Sequence, residues 1–420
     1  MLKRILTHKA VRGSFLTTLD QGIVSISNFL TGVLVARAVS PEDFGTYSLM
    51  FTGLIVLYGL QNALIVGPAR VLGVRASGVD ASGYFASQLQ LQFILGSILS
   101  TAVIVLLPAA TSMTLSMSVT FSVCLFFFQL QELIRIINLT RFTLVTLLLT
   151  DTLTHGLRIA LLVSISLYGT LSPSIAVLTI AISCAIGAIP HLKKKDRGLS
   201  KSVPLRETMS SNWEYGRWLL LETMAYTAST QVYLYFTAYW VDKQSAGALN
   251  AIQNLLNVVN ILHIGIMSFA IPTARNKLIE YGHGVWKRWF LQVGIALTVS
   301  TTLIVLILST LAKPLLSTLY SPFYGNYAYL VPVLGLSYCL AAVNTVFGAA
   351  YYTARLPQVG LVARTATAVL TLTLAYPALQ EWGVKGAAIG LLATQALWTA
   401  VYLTYMAKGS LGPDRVKLGI

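Results

Sequence analysis

Charge is what this sequence has least of. Only 10% of its 420 residues are Asp, Glu, Lys or Arg, where a soluble protein carries roughly 25%. Acids are scarcer still, 14 against 29 bases. Cysteine is down to three, Cys124, Cys184 and Cys339, each inside an apolar run. An odd number at wide spacing leaves no disulfide framework and no clustered metal site, so they read as buried packing thiols. No phosphate-cradling Gly-rich loop with its Lys is present, and no HExxH, paired CxxC or nucleophile elbow. No cofactor, metal or catalytic residue is expected. The apolar segments lack strict alternation and are about twice too long for barrel strands.

Apolar length is what the chain has instead. Hydrophobic residues make up 55% and the mean hydropathy is +0.72. A bilayer core takes about 20 apolar residues per helix. Such windows predict twelve spans: 14–37, 44–67, 84–107, 113–135, 142–168, 172–192, 214–240, 245–271, 289–311, 328–353, 358–378 and 384–407. The basic start, MLKRILTHKAVRG, reads as an interfacial helix leading into the first span. It is not read as a signal peptide, because Asp20, Gln21 and Asn28 interrupt the apolar run that follows.

Lys and Arg orient this map. Loops on the N-terminal side hold 22 of the 29, those on the other side only Arg37, Lys243, Lys313 and Lys385. Such a bias puts both termini in the cytoplasm. It also accounts for most of the net charge of +15, so no nucleic-acid partner is implied. Trp213, Trp218, Trp286, Trp289 and Trp382 fall near span ends, where amphipathic rings prefer to lie.

The stretch KKKDRGLSKSVPLRETMSS reads as a linker. It divides the chain into an N-terminal lobe over 1–192, a cytoplasmic linker over 193–213, a C-terminal lobe over 214–407 and a cytoplasmic tail over 408–420. The lobes repeat weakly and in order. Asp20 and Glu222 are 202 apart, as are Gly45 and Gly247; GPAR at 67–70 recurs as IPTAR at 271–275; Tyr168-Gly169 and Trp382-Gly383 are 214 apart. Six helices per lobe is an even number, so the lobes relate by a pseudo-twofold axis along the membrane normal. The expected fold is all-α and polytopic: twelve transmembrane helices in two six-helix lobes around a central cavity.

Asp20 and Glu222 lie about two turns into the first helix of each lobe, roughly 9–12 Å deep. An ionised group at a helix centre costs about 2.5–3.5 kcal/mol, of which the helix dipole returns about 0.3–1 kcal/mol. A partner, water or a proton must supply the rest. An ion or proton site, a latch between lobes and an acid facing a wet vestibule all meet that need.

LVARAVSPEDFGTYSLMF at 34–51 resembles the stretch after the first helix of Wzx-type flippases. These are the polysaccharide exporters of the multidrug/oligosaccharidyl-lipid/polysaccharide superfamily. YYTARLPQVGLVARTATAVLTLTLAYPALQEWGVKGAAIGLLATQALW at 351–398 resembles their closing pattern, and LYSPFYGNYAYLVPVLGLSY at 319–338 their loop before the tenth span. The resemblance implies a two-lobed, MATE-like transporter working by alternating access, and not an enzyme. Its cargo would be a polyprenyl-pyrophosphate-linked oligosaccharide, moved from the inner to the outer leaflet of a bacterial cytoplasmic membrane. Membrane lipids and a polysaccharide polymerase are the partners it suggests. Related peptidoglycan-precursor flippases show an Arg-Asp pair in the first helix, where this chain has Leu19 before Asp20.

A pyrophosphate calls for forked, always-charged donors. Arg158, Arg217 and Arg364 lie within spans, while Arg70 and Arg275 occupy matching cytoplasmic ends. All five are candidates for cargo; pairing, snorkelling and topogenic anchoring are their structural alternatives. Asp151, His155 and Arg158 share one face of span five, and Arg217 lies five residues before Glu222. His263 continues a polar strip with Gln253, Asn257 and Asn260. Asp20, Glu222, Asp151, His155 and His263 are the candidates for ion coupling or inter-lobe contact. Gly386 and Gly390 form a small-residue packing seam. A cation-coupled drug exporter is the second reading. A membrane glycosyltransferase, polymerase or ligase is the third, weakened by outer loops of no more than about 17 residues.

Overall fold

In the computed structural model, residues 2–75, 79–111, 113–192, 203–354 and 356–411 are described. The expected linker residues 193–202, Arg355 and the tail beyond 411 lie outside them. Among the described residues there are helices and no strands. In chain order they are α1 (Leu2–Ala38), α2 (Pro41–Gln61), α3 (Val79–Ala110), α4 (Leu115–Thr140), α5 (Leu144–Tyr168) and α6 (Pro173–Leu192). Then come α7 (Leu205–Tyr226), α8 (Lys243–Leu256), α9 (Val258–Thr310), α10 (Leu330–Thr353), α11 (Pro357–Trp382) and α12 (Val384–Ala407). Helix α2 continues through a π-helical turn, Asn62–Val66, into Gly67–Arg75; α7 continues through Thr227–Gln231 into Val232–Trp240.

Ten helices among the described residues are long and apolar enough to cross a bilayer. Two departures separate this number from the twelve spans of the sequence map. The expected eighth and ninth spans follow each other without a loop: the helical stretch Val258–Thr310 is broken at Gly282, whose φ 77° and ψ −177° are non-helical and leave two helices end to end. That backbone region is open essentially to glycine alone. The expected seventh span is helical from 205 to 240, but Glu214, Arg217, Glu222 and a Thr/Ser/Gln π-turn dilute its hydropathy. The chain is a multi-pass, all-helical membrane protein.

Helix starts follow their sequence signals. Ser40 and Asp43 bond each other ahead of α2, Ser40 Oγ to Asp43 Oδ2 at 2.8 Å and Asp43 N to Ser40 Oγ at 3.1 Å, with Pro41 at the first helical position. Asp242 caps α8 by accepting from Ser245 N at 2.6 Å. Gly45 and Gly247, spaced as internal repeats, touch. A side chain at Gly45 would run into the Lys243 backbone, and one at Gly247 into Gly45.

Contacts divide the chain into two compact units. The first holds Met1–Val39 and Thr46–Thr223; the second holds Ser40–Gly45 and Met224–Ile420. In the first, α1 packs on α5, and α4 on both α3 and α6. Its core includes Ile65, Val66, Tyr84, Phe85, Leu133 and Ile137. A buried amide network braces the π-turn of α2. Gln61 Nε2 donates to Gln92 Oε1 at 2.7 Å and to the Gln129 carbonyl at 2.6 Å, while Asn212 Nδ2 reaches the Leu64 carbonyl at 3.0 Å. Asn212 ties the start of α7 to the first unit in this way.

In the second unit α9 packs on α10, and α11 on α12. One of its core clusters is built around Trp286, Phe290, Leu297, Ala342 and Ala350. Trp286 is therefore a core residue and no part of an interfacial belt, whereas Trp213, Trp218 and Trp382 are exposed. Gly386 lies against the Ala378 backbone and Gly390 against the Tyr233 ring, so the expected seam is a packing seam.

Candidate functional site

The polar side chains that α1, α4, α5 and α6 carry at corresponding depth meet inside the first unit. Asp20 comes from α1, Gln131, Glu132 and Arg135 from α4, Asp151, Thr154, His155 and Arg158 from α5. Asp151 lies seven residues into α5, Arg135 five residues before the end of α4, and Asp20 four residues into the apolar part of α1, which starts at Leu16.

Arg135 is the centre. Its Nη2 donates to Asp20 Oδ2 and its Nε to Asp151 Oδ2, each at 2.7 Å. Asp20 is 1% exposed and Asp151 fully buried. Gln131 Nε2 lies 3.4 Å from Asp151 Oδ1 and 3.3 Å from Thr154 Oγ1. Asp20 Oδ1 has no hydrogen-bond partner. Glu132 stands within electrostatic range of Arg135 and of Tyr58 on α2.

About two turns further along α5, Arg158 is 2% exposed. Its Nη1 donates to Asn28 Oδ1 at 3.1 Å and its Nη2 lies 3.9 Å from Cys184 Sγ. Its Nε has no partner. Among the described residues no carboxylate comes within ion-pair distance of it. His155, between the two arginines, has an orphaned and buried Nδ1. With all groups ionised, Asp20, Glu132 and Asp151 against Arg135 and Arg158 leave one negative charge in excess.

The structure brings four of the sequence candidates together here: Asp20, Asp151, His155 and Arg158. Asp151 pairs with Arg135 across helices, and Asp20 finds its partner, the same Arg135, inside its own unit. The sequence map ends span four at Arg135 and so counts it among the loop cations. Helix α4 runs on to Thr140, which draws Arg135 inside. The signal was present in QLQELIRII, where Gln131, Glu132 and Arg135 lie at i, i+1 and i+4 on one face of an apolar run.

The other candidates stand apart. Arg364 on α11 is half-buried in the second unit, its guanidinium 4.9 Å over the Tyr226 ring and 4.7 Å over the Trp398 ring. His263 is buried, its Nε2 2.9 Å from Thr301 Oγ1. Arg217 is exposed over Trp218 at 5.4 Å, Glu222 is half-buried, and Arg70 and Arg275 are exposed. Among the described residues no group of three His, Cys, Asp or Glu could hold a metal.

With this geometry in place, the fold can be set beside known ones. No family model matches the chain. No curated protein matches it in sequence. Solved structures do match. An inward-facing multidrug resistance MATE family transporter of the MOP superfamily superposes with a TM-score of 0.79 at 15% identity, over 93% of this chain and 95% of that one. The lipid II flippase MurJ, in an inward closed conformation, gives a TM-score of 0.76 at 12% identity, over 94% and 87%. A MOP superfamily transporter from Pyrococcus furiosus, described by the reverse polarity of its binding pocket, gives 0.68 at 15% identity over 96% of both chains. The chain has the polytopic fold shared by MATE transporters and MurJ.

Proposed function

We propose that this protein is a flippase for a polyprenyl-pyrophosphate-linked oligosaccharide, working by alternating access in a bacterial cytoplasmic membrane with both termini inside. The observation that carries the reading is Arg158. A guanidinium buried in a membrane helix is costly, and such groups normally pair with acids. This one is held by an amide and a thiol and keeps a free N–H. An anionic cargo would supply the missing charge when the unit opens to it. Arg364, held over two rings, is a second fixed cation. A fold superposable on a lipid II flippase at 94% coverage is consistent with a lipid-linked cargo.

The excess carboxylate of the Asp20–Arg135–Asp151 cluster would be the coupling site, taking up a proton or cation as the transporter cycles. The same excess favours the second reading, a cation-coupled exporter of small molecules. The two separate on cargo charge, since an exporter of cations has no use for Arg158 and Arg364. The test is genetic. Cells lacking the protein should accumulate lipid-linked repeat units on the cytoplasmic leaflet. Normal display of those units outside, with no second flippase in the cell, would remove the proposal. A polymerase partner would be seen as co-purification with the intact protein.

A further inference from the structure

Between Gln244 and Ala274 the chain carries no Asp, Glu, Lys or Arg, yet it carries Asn250, Gln253, Asn254, Asn257 and Asn260. Helix α8 passes into α9 through Asn257, whose φ −63° and ψ −13° stay helical; Asn257 N bonds the Gln253 carbonyl at 2.9 Å and Asn260 N the Asn257 carbonyl at 2.9 Å, a locally tightened turn. Asn257 lies about 21 Å along the helix from Lys243, at ~1.5 Å per residue. That is well inside a hydrocarbon core of about 30 Å. Polar side chains at such depth face the bundle interior or a water-filled cavity.

The side chains show which. Asn257 Oδ1 accepts from Asn260 Nδ2 at 3.0 Å and from the Tyr338 hydroxyl at 2.9 Å, and that hydroxyl also lies 3.4 Å from the Gln253 carbonyl. This spends the Asn257 oxygen. It leaves both N–H groups of Asn257, and the oxygen and second N–H of Asn260, unspent on two exposed side chains. Amides turned to lipid with those groups free would be expensive. Bracing the turn accounts for the bonded half of each amide but not for the free half.

We infer that Asn257, Asn260, Gln253 and Tyr338 form a subsite for an uncharged, polyhydroxylated ring: the sugar of the cargo, not its pyrophosphate. Adjacent donors and acceptors match hydroxyls that each give and take a hydrogen bond. The absence of any charge for about 30 residues disfavours a phosphate or an organic cation. The subsite rests on the flippase reading above and adds to it a division of labour, with arginines for the anion and amides for the glycan.

The test uses the full-length protein in lipid nanodiscs. Two probes are compared by native mass spectrometry: undecaprenyl-pyrophosphate-linked oligosaccharide extracted from the producing cells, and bare undecaprenyl pyrophosphate. The Asn257→Ala/Asn260→Ala variant should bind the glycosylated probe about tenfold more weakly, as expected for two or so lost net hydrogen bonds, and the bare probe within about twofold. Asn260→Ser alone, about one turn beyond Asn257, should give the smaller loss in the same direction and covers the case in which the double variant does not fold. A variant that keeps the full preference for the glycosylated probe, or weakens on both probes alike, overturns the subsite and leaves the flippase reading standing. A wild-type protein that binds neither probe overturns the flippase reading and the subsite with it.

Discussion

Arg135 shows how one residue can set the character of a site. It holds two buried carboxylates at once, and removing it would strand both. We expect Arg135→Leu to destabilise the protein by about 3–5 kcal/mol, the usual cost of breaking a buried pair from one side. Asp20→Asn should cost clearly less, because Arg135 keeps Asp151. Denaturation of the two variants in the same detergent checks the order, and equal melting would mean that the cluster is solvated. Arg158 makes a different prediction. Having no acid to strand, Arg158→Gln should insert and fold while losing transport, and Arg158→Lys should not rescue it, since an ammonium lacks the planar fork. Wild-type transport by both variants would remove Arg158 from the cargo path. Asp20 was legible as an anomaly because a lone acid in an apolar run needs a reason. Its partner was not, because an arginine five residues from a helix end looks like an anchor until the helix is seen to continue.

At the level of elements, glycine decides where helices approach and where they break. The Gly45–Gly247 contact lets the starts of α2 and α8 meet backbone to backbone. Gly247→Leu should cost about 1–3 kcal/mol by overpacking, read as a fall in melting temperature with helicity kept. Gly282 interrupts the 53-residue helix at a backbone angle that an L side chain resists. Gly282→Ala should cost about 1–3 kcal/mol, with faster amide exchange local to the neighbouring turns; unchanged exchange there would show that the break tolerates a side chain. Apolar periodicity located nearly every helix, with ends off by a few residues. Two places show its limits. The helix spanning 205–240 follows the expected seventh span, but Glu214, Arg217 and Glu222 lower its hydropathy. Spans eight and nine are separated by one non-helical residue, Gly282, and by no loop. Trp286 illustrates the same limit, since a Trp near a span end is belt or core according to tertiary packing alone.

At the scale of the whole molecule, the sequence carried the class and the fold further than it carried the chemistry. Hydropathy sufficed for a polytopic helical protein, while the spacing of Gly45 and Gly247 said nothing of their contact. The site lies where helices α1, α4 and α5 converge, and three residues more than 100 positions apart in part, such as Asp20 and Arg135, cannot be paired from one sequence. The most direct test of the transport account is a leaflet assay in proteoliposomes holding the purified protein and a fluorescent polyprenyl-pyrophosphate-linked oligosaccharide. Quenching by a membrane-impermeant reductant reports how much of the label has crossed. The account predicts that quenching goes beyond the half expected of a static bilayer, toward completion, with wild-type protein, and stops at half with Arg158→Gln. Quenching that stops at half with wild-type protein, under an imposed proton or sodium gradient as well as without one, would contradict it.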